Sequence, residues 1–586
     1  MRDKKISLLF PVKDGKEPKY RSLSEETIHN LGLDAIVPAL STMEAERSYI
    51  LRVLSHMTDD PFVAAYRADV FEDILNSPEL RDRIMKILDK IRFLREYGTF
   101  KRDYEESASA FELIHRLEEI NDYIISVEAI HECLADASLK SEGLRELKEY
   151  ADAIYNDNAF AELKEDISKV RASTTDLKSI TLGVNLNPRF EAESIGVVSI
   201  NNKPFTKSGV IGAFSDAITS RRDHIQDGNE WNGNFKYQPI NPTQSEMTGI
   251  LEQIGRIRIA TSGPIGFLTM AAVPEGDSTV DVTRYMDRIT NHMLFLTVRK
   301  LRNVLSKYVN VTITNITDLI PEFMYYIRWA EYTEKVLAAG YVLKKPEIAD
   351  SEDPVYTEAH GVYNLLLAHS HLQDKLQIVR NDLVFDREHN IYILTGANRG
   401  GKTTITVAVG LLFVLAQGGI YIPGGSFKYM PVDCIYTHFP ADEDKTMDLG
   451  RLGEECKRFK ELYNLANGKS LLLLNETFST TSFEEGYYIA RDAVRAMLKK
   501  GVRTIYNTHM HKLARDIEEI NSESNNSYGA RAQSLIVKTD GSERSFKIAV
   551  APPAGMSYAE DIARKYGVTY DMLTGETTLP KEENQQ

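Results

Sequence analysis

The stretch that decides the fold of this chain is Ile391-Tyr-Ile-Leu-Thr-Gly-Ala-Asn-Arg-Gly-Gly-Lys-Thr-Thr404. Its first five residues form an apolar run without alternation, which is typical of a strand that a parallel sheet buries on both faces. The rest fits the pattern Gly-x-x-x-x-Gly-Lys-Ser/Thr and leads into a helical pattern over residues 403–417. A glycine loop between a strand and a helix is the context that this phosphate-binding pattern requires. The sequence therefore predicts a nucleotide site in an α/β domain.

Each residue type in this loop has a physical reason to contact phosphate. Glycines let successive backbone N–H groups point at the β- and γ-phosphates, and the start of the following helix adds positive potential. Lys402 would neutralise phosphate oxygens, and the Thr403 hydroxyl would complete the oxygen shell of Mg²⁺. ATP and Mg²⁺ are the expected cofactors. The predicted nucleotide-binding residues, the last of them placed at the adenine, are Gly396, Ala397, Asn398, Arg399, Gly400, Gly401, Lys402, Thr403, Thr404 and Ile378.

Two further strand ends supply catalytic candidates. The buried run from Leu471 ends in Asn475-Glu476, and a third run, residues 504–508, is followed by His509. In nucleotide hydrolases, such a strand end carries an acid that holds Mg²⁺ and a neighbouring carboxylate that polarises the attacking water. Glu476 fits the second role, whereas Asn475 offers the metal an amide oxygen without charge. We predict Glu476, His509 and Lys402 as catalytic residues, and Thr403, Asn475 and Glu476 as the Mg²⁺ site.

These motifs resemble those of the MutS family of DNA mismatch-repair ATPases, a branch of the ABC-type ATPases. The similarity is densest from about Asn381 to Ala563 and includes the phosphate loop, the segment 415–423 and Thr508-His509. The resemblance implies a slow ATPase that acts as a homodimer, in which each site is completed by the partner. The trans-acting signature residues that it implies are Gly450, Arg451, Gly453, Glu454, Glu455, Thr481 and Ser482.

The chain ahead of these motifs has another pattern. Apolar residues recur at helical spacing from Leu113 to Leu134, and two β segments are predicted over 181–187 and 194–200, before a polar loop at 226–246. We predict a multidomain fold, with a long-helix α core that carries a small β insertion, followed by an α/β ABC-type P-loop ATPase domain. The predicted boundaries are 1–40 for an N-terminal segment, 41–345 for a MutS-like helical core or lever with a reduced clamp at 180–246, and 346–586 for the ATPase domain.

Composition excludes several classes of protein. Of 586 residues, 42% are hydrophobic and 26% charged, which excludes a mainly disordered chain. Three widely spaced cysteines exclude a disulfide framework, and no apolar run reaches the ~18 residues of a membrane span. We expect a cytoplasmic protein without membrane contact. The net charge of −15 opposes a surface wrapped in nucleic acid, although one local basic channel remains compatible with it.

The chain departs from the family pattern in ways that bear on function. Only ~40 residues precede the helical core, so we expect no mismatch-reading domain. The signature segment lacks the usual Ser-Thr-rich helix start, and Asn475 stands where the family has Asp. Our first hypothesis is a dimeric clamp that uses ATP to switch its grip on duplex or branched DNA, reading backbone and shape, not sequence, in repair or recombination. The candidate DNA contacts are Arg221, Arg222, Arg256, Arg258, Arg299, Lys300 and Arg302.

The alternative hypothesis is a nucleotide-dependent interaction protein with weak ATPase activity that acts on RNA, the ribosome or a protein partner. The acidic balance and the expected loss of the mismatch reader both favour it. Salt-sensitive duplex binding would distinguish the two hypotheses, because phosphate contacts release counterions.

Overall fold

The computed structural model divides the chain into two compact units. The first comprises Met1–Lys86, Cys133–Glu149 and Asp318–Gln586, and the second Ile87–Glu132 and Tyr150–Thr317. No helix in the part that the structure describes is long and apolar enough to cross a bilayer. The described residues are 6–13, 15–95, 110–135, 137–174, 179–186, 188, 192–201, 261–262, 267–268, 271–272, 319–374, 376–397, 400–440, 450–524, 526, 528–540, 543–553, 564 and 566–574.

The N-terminal part of the chain is mainly helical, as predicted. Local sequence explains where helices start: Ser24 caps the first by accepting from the Thr27 N–H, and Asp60 caps the fourth by accepting from the Phe62 N–H, with Pro61 at its first position. These helices are α1 (Glu25–Asn30), α2 (Leu33–Leu40), α3 (Glu44–Ser55), α4 (Pro61–Asn76), α5 (Pro78–Arg95), α6 (Ala110–Ala135), α7 (Glu142–Tyr155) and α8 (Asn158–Thr174).

The strands of this part include the predicted β insertion. Strands β3 (Ser179–Leu186) and β4 (Ala192–Asn201) pair antiparallel, which confirms the two predicted β segments. The shorter strands are β1 (Arg21–Ser22), β2 (His56–Met57), β5 (Thr261–Ser262), β6 (Phe267–Leu268) and β7 (Ala271–Ala272). Strand β7 extends the β3–β4 pair, whereas β1 pairs with β2 and β5 with β6. The polar loop at 226–246 and all seven candidate DNA contacts lie outside the described residues.

The C-terminal part is an α/β domain, as the strand and glycine-loop pattern predicts. Its strands are β8 (Leu343–Lys344), β9 (Glu347–Ile348), β10 (Thr357–Val362), β11 (Asn381–Phe385), β12 (Ile391–Thr395), β13 (Ile422–Pro423), β14 (Ser426–Tyr429), β15 (Ile435–His438), β16 (Leu471–Asn475), β17 (Arg503–Asn507), β18 (Ala532–Asp540) and β19 (Glu543–Val550). The helices from α9 onward are α9 (Ile320–Ala338), α10 (Leu365–Ser370), α11 (Lys402–Gln417), α12 (Gly450–Leu465), α13 (Phe483–Lys500), α14 (His511–Arg515), α15 (Ile517–Glu523) and α16 (Tyr570–Thr574).

The main sheet brings the predicted motifs to one edge. Its order is β15-β16-β17-β12-β18-β19, parallel except for the antiparallel pair β18–β19. The fully buried strands β12, β16 and β17 are its central strands, as the unbroken apolar runs of β12 and β16 predict. Because parallel strands end at the same edge, the residues that follow these three strands meet there. A second sheet, β11-β10-β14-β9, and the pair β8–β13 complete the domain.

The phosphate-loop helix α11 is buried along almost its whole length and is held at its C-terminal end by the helical region. The Arg67 guanidinium of α4 donates to the Gln417 carbonyl at 2.8 Å, and the Tyr325 hydroxyl of α9 donates to the Gly418 carbonyl at 2.8 Å. The Gln417 side chain donates to the Thr58 carbonyl at 2.8 Å. Arg67 and Tyr325 thus satisfy carbonyls that a helix end leaves unpaired. The guanidinium charge also compensates the negative end of the helix dipole. The end of α11 therefore has fixed partners inside the first compact unit.

Candidate functional site

The phosphate loop has backbone geometry that only glycine adopts easily. Gly396 and Gly401 have φ values of 146° and 89°, a region that side chains disfavour. A Cβ atom on Gly396 would lie 3.1 Å from the Cβ of Val537, so the loop also runs against β18. The loop connects β12 directly to α11, as predicted. Asn398 and Arg399 lie outside the described residues.

Lys402, the first residue of α11, folds back over this loop. Its Nζ donates to the carbonyls of Gly396 and Ala397 at 3.0 and 3.3 Å. Burial lowers the pKa of Lys402, and the nearby Glu476 carboxylate raises it in part. A desolvated ammonium held by neutral carbonyls gains strongly from a charged partner, so this side chain suits a phosphate.

A cavity of about 550 Å³ lies in front of the loop. Glu476 and His509 line the cavity together with the phosphate loop. Ile378, the residue predicted at the adenine, lines the same cavity in a mainly apolar part of its wall. Its lining consists of Tyr363, Asn364, Leu367, Leu376, Gln377, Ile378, Val379, Asn381, Gly400, Gly401, Lys402, Thr403, Thr404, Ile405, Glu476, His509 and Phe546. Glycine backbone, a lysine and an apolar wall in one cavity fit a nucleotide in size and chemistry.

Phe546 is a cavity residue that sequence reasoning missed. Its φ is 55°, a strained value for an aromatic residue, and its side chain is 45% exposed. The Asn381 side chain holds this conformation, donating to the Phe546 carbonyl at 3.1 Å and accepting from the Ile548 N–H at 2.8 Å. Asn381 belongs to a family motif in the sequence, but nothing local marks its partner in β19.

Two of the side chains predicted to hold Mg²⁺ meet where the C-terminal end of β16 lies against the N-terminal end of α11. The Thr403 hydroxyl donates to Asn475 Oδ1 at 3.1 Å. Asn507, at the end of β17, donates its amide N–H groups to Thr403 Oγ1 at 3.3 Å and to Asn475 Oδ1. Within the described ranges, no group of three or more His, Cys, Asp or Glu side chains could hold a metal. The oxygens present instead suit the hard cation Mg²⁺ bound together with phosphates.

The two other catalytic candidates, Glu476 and His509, lie within hydrogen-bonding distance of each other. Glu476 follows β16 with a φ of 54°, and its N–H donates to the Asn507 carbonyl at 2.9 Å. His509 Nε2 lies 2.9 Å from Glu476 Oε1. The strand ends thus bring a carboxylate, an imidazole and the Lys402 ammonium to one cavity.

The turn that carries Glu476 is held from two sides. Glu476 and Phe478 both have positive φ, and Thr477 lies between them. The Tyr506 hydroxyl donates to the Thr477 carbonyl at 2.7 Å, and the Thr477 hydroxyl lies 3.0 Å from His438 Nδ1. Such strained backbone persists only where its surroundings fix it, and it is frequent at catalytic sites.

His438, at the end of β15, was not singled out in the sequence. Its Nε2 lies 3.3 Å from the Glu455 carbonyl, so a neutral ring with its proton on Nε2 satisfies both of its contacts. Burial, reinforced by Arg458, lowers the pKa of His438 to about 4. The ring therefore joins the signature helix α12 to the turn after Glu476 without adding charge.

The predicted trans-acting residues make contacts within their own chain. The Thr480 hydroxyl donates to the Glu455 carboxylate at 3.0 Å, and burial raises the pKa of Glu455. Thr481 donates to Glu485 at 2.5 Å, and Ser482 caps α13. Gly450, Arg451, Gly453 and Glu454 lie in the first turns of α12, and none of them is among the described residues that line the cavity.

Two family models match parts of this chain. The family model described as MutS domain V matches residues 392–566, and the model of the MutS2 N-terminal domain matches residues 59–207. Both stretches of the chain therefore belong to the MutS family, and the second indicates a MutS2-like branch of it. MutS domain V is an ATPase domain.

Curated relatives match part of the chain. The chain is 25% identical over 229 residues to "Endonuclease MutS2" of Thermus thermophilus, which is 39% of this chain and 29% of that protein. It is 30% identical over 206 residues to "DNA mismatch repair protein MutS" of Fusobacterium nucleatum, covering 35% of this chain and 22% of that protein. The protein of the same name from Chlorobium phaeobacteroides is 32% identical over 180 residues, which is 30% of this chain and 20% of that protein. The chain thus spans less than a third of the length of the relatives it matches.

Proposed function

We propose that this MutS2-like ATPase binds ATP with Mg²⁺ in the cavity before α11, hydrolyses it slowly, and uses the cycle to change its grip on DNA. The observation that carries the hydrolytic part is the meeting of Lys402, Thr403, Glu476 and His509 at one cavity, with Asn475 hydrogen-bonded to Thr403. Such groups are what phosphoryl transfer to water requires: positive charge at the phosphates, oxygens for a metal, and a base for the water.

The residues divide the work by position. Lys402 and the loop N–H groups would bind the β- and γ-phosphates, and Thr403 with Asn475 would hold Mg²⁺. When bound, Mg²⁺ neutralises charge that develops on the phosphate oxygens. Glu476 would accept a proton from the attacking water, and His509, 2.9 Å away, would keep that carboxylate facing the γ-phosphate.

The dimeric part of the proposal rests on the family to which the two matched stretches belong. Two ATPase domains would enclose the nucleotides, with Gly450, Arg451, Gly453, Glu454, Glu455, Thr481 and Ser482 of one subunit completing the site of the other. Closing on ATP and opening after hydrolysis is a population shift between two packings, biased by contacts to the γ-phosphate.

The net charge decides how such a protein could hold DNA. The net charge of −15 opposes a surface wrapped in nucleic acid and is compatible with contact through a local channel of the closed dimer. The same charge favours the competing function, a nucleotide-dependent protein that acts on RNA, the ribosome or another protein.

The test measures the rate of ATP hydrolysis by the intact protein over a salt series. The rate without nucleic acid is compared with the rates in homoduplex DNA, mismatched DNA, branched DNA and single-stranded RNA. The clamp predicts stimulation by duplex or branched DNA that declines steeply with salt, because bound phosphates release counterions. Stimulation by RNA alone, or no response to any nucleic acid at low salt, would transfer support to the competing function. Lys402→Ala is the matched control and should abolish nucleotide binding in every condition.

A further inference from the structure

The buried amide pair at the strand ends has a feature that the predicted metal site does not use. Asn475 and Asn507 end neighbouring parallel strands and are directly opposite each other in the register of β16 and β17. Their residues are 9% and 1% exposed. Two amides are thus placed side by side, beneath the start of α11.

One amide of this pair orients the other. Asn507 Nδ2 donates to Asn475 Oδ1, and Asn475 Oδ1 in turn accepts from the Thr403 hydroxyl at 3.1 Å. A carboxylate would present an oxygen to Thr403 in either orientation, but an amide has one oxygen and one nitrogen. With nitrogen toward Thr403, Asn475 would repel a cation. The donor on Asn507 therefore selects the orientation in which Asn475 suits a metal.

The oxygen of Asn507 is itself unused. Asn507 Oδ1 is buried and accepts no hydrogen bond from any residue that the structure describes. A buried acceptor without a donor is costly, and in native proteins it usually has a water or an ion for a partner. Water bound to Mg²⁺ is a strong donor, and Mg²⁺ commonly keeps several of its waters.

We propose that Asn507 is a positioning residue of the Mg²⁺ site. Its N–H groups direct the Asn475 oxygen at Thr403, and its own oxygen accepts a hydrogen bond from a metal-bound water. The inference rests on the proposed function, because the metal arrives with the nucleotide. It also explains how the chain works with Asn at position 475: the amide pair supplies orientation, and the nucleotide phosphates supply the negative charge.

Mn²⁺ binding measures this role apart from turnover. Electron paramagnetic resonance gives the Mn²⁺ affinity of the full-length protein with the non-hydrolysable analogue AMP-PNP. Partners of metal ligands typically contribute 10- to 100-fold to metal affinity, so we expect Asn507→Ala to weaken Mn²⁺ binding by about tenfold. AMP-PNP binding in EDTA should remain unchanged. Asn507→Leu fills the same volume without polar atoms and should weaken Mn²⁺ binding to the same extent. This variant shows that the loss does not come from the cavity that Asn507→Ala would leave.

The Asn475→Asp background separates orientation from general damage. A carboxylate needs no orienting donor, so Asn507→Ala should there change Mn²⁺ affinity by less than about threefold, because it removes no more than the hydrogen bond to the metal-bound water. Unchanged Mn²⁺ affinity in both Asn507 variants would overturn the inference while leaving the ATPase proposal intact. An equal loss of AMP-PNP affinity in EDTA would overturn it too, because the role would then be structural. Failure of the unmodified protein to bind AMP-PNP would instead refute the proposed function.

Discussion

His509 Nε2 lies 2.9 Å from Glu476 Oε1, which links the segments that follow strands β17 and β16 in the lining of the cavity. The Glu476 side chain is 20% exposed and that of His509 47%, and both residues line the cavity. A base that polarises water needs this combination of access and fixed direction.

Replacement of Glu476 tests the assignment of the base. Glu476→Ala should lower single-turnover hydrolysis by about 100- to 1,000-fold, because general-base catalysis contributes at that level. ATP binding should persist, since Lys402 and the loop are unchanged. Glu484→Ala, an exposed carboxylate in the first turn of α13, is the matched control. Normal hydrolysis by Glu476→Ala would refute the base assignment.

The uncharged Asn475 predicts a gain of function. Asn475→Asp adds a negative charge 3.1 Å from the Thr403 hydroxyl, where the metal is expected. Stronger metal retention should raise turnover by roughly tenfold at limiting Mg²⁺, with a smaller gain at saturating Mg²⁺. Steady-state assays over a Mg²⁺ series measure this. A lower rate at every Mg²⁺ concentration would contradict a metal role for position 475.

The turn at Thr477 should influence the chemical step more than binding. Tyr506→Phe removes the hydrogen bond to the Thr477 carbonyl, which stabilises the strained turn by about 1 kcal/mol. We expect kcat to fall by about fivefold with KM unchanged, since 1.36 kcal/mol corresponds to a factor of ten. Tyr487→Phe makes the same chemical change where the hydroxyl donates to Asp516, and should leave kcat unaltered. A change in KM alone would argue against a positioning role.

His438 predicts a pH dependence of stability. Its pKa is about 4 in the folded chain and about 6.5 when unfolded, so the unfolded state takes up a proton first as pH falls. The stability from the neutral ring is therefore complete above pH 6.5 and is lost between 6.5 and 4. The wild type should lose about 2 kcal/mol more than His438→Gln between pH 7 and pH 5.

Urea unfolding at the two pH values, followed by the fluorescence of the buried Trp329, measures this difference. Burial raises the pKa of Glu455, which changes stability in the opposite direction over part of the same range. Glu455 is common to both proteins, so the comparison cancels most of its effect. Equal losses in the two proteins would show that the ring is not held neutral.

Much of the α/β fold follows from local sequence. The strands at 391–395 and 471–475, the glycine loop and the helix after it were all predicted, because unbroken apolar runs and glycine spacing depend on neighbours along the chain. The mainly helical N-terminal part and the pair β3–β4 were predicted for the same reason.

What the sequence did not reveal depends on distant pairing. Asn507 acquires its meaning only because the register of β16 and β17 sets it opposite Asn475. Phe546 reaches the cavity through a positive φ that no aromatic residue favours by itself. The contact between His438 and Thr477 joins residues separated by 39 positions. The roles of the predicted site residues themselves stay predictions until the variants are measured.

The partners of the last residues of α11 bear on any attempt to express the ATPase alone. A recombinant fragment that begins at residue 346 would lack Arg67, Tyr325 and Thr58, which are three of the hydrogen-bond partners of Gln417 and Gly418. It would also uncover the faces of α11 that pack on α3 and α4. Apolar helix surface opened in this way promotes aggregation. We therefore expect that the ATPase domain does not fold stably as a fragment starting at residue 346, and that enzyme assays need the whole first unit.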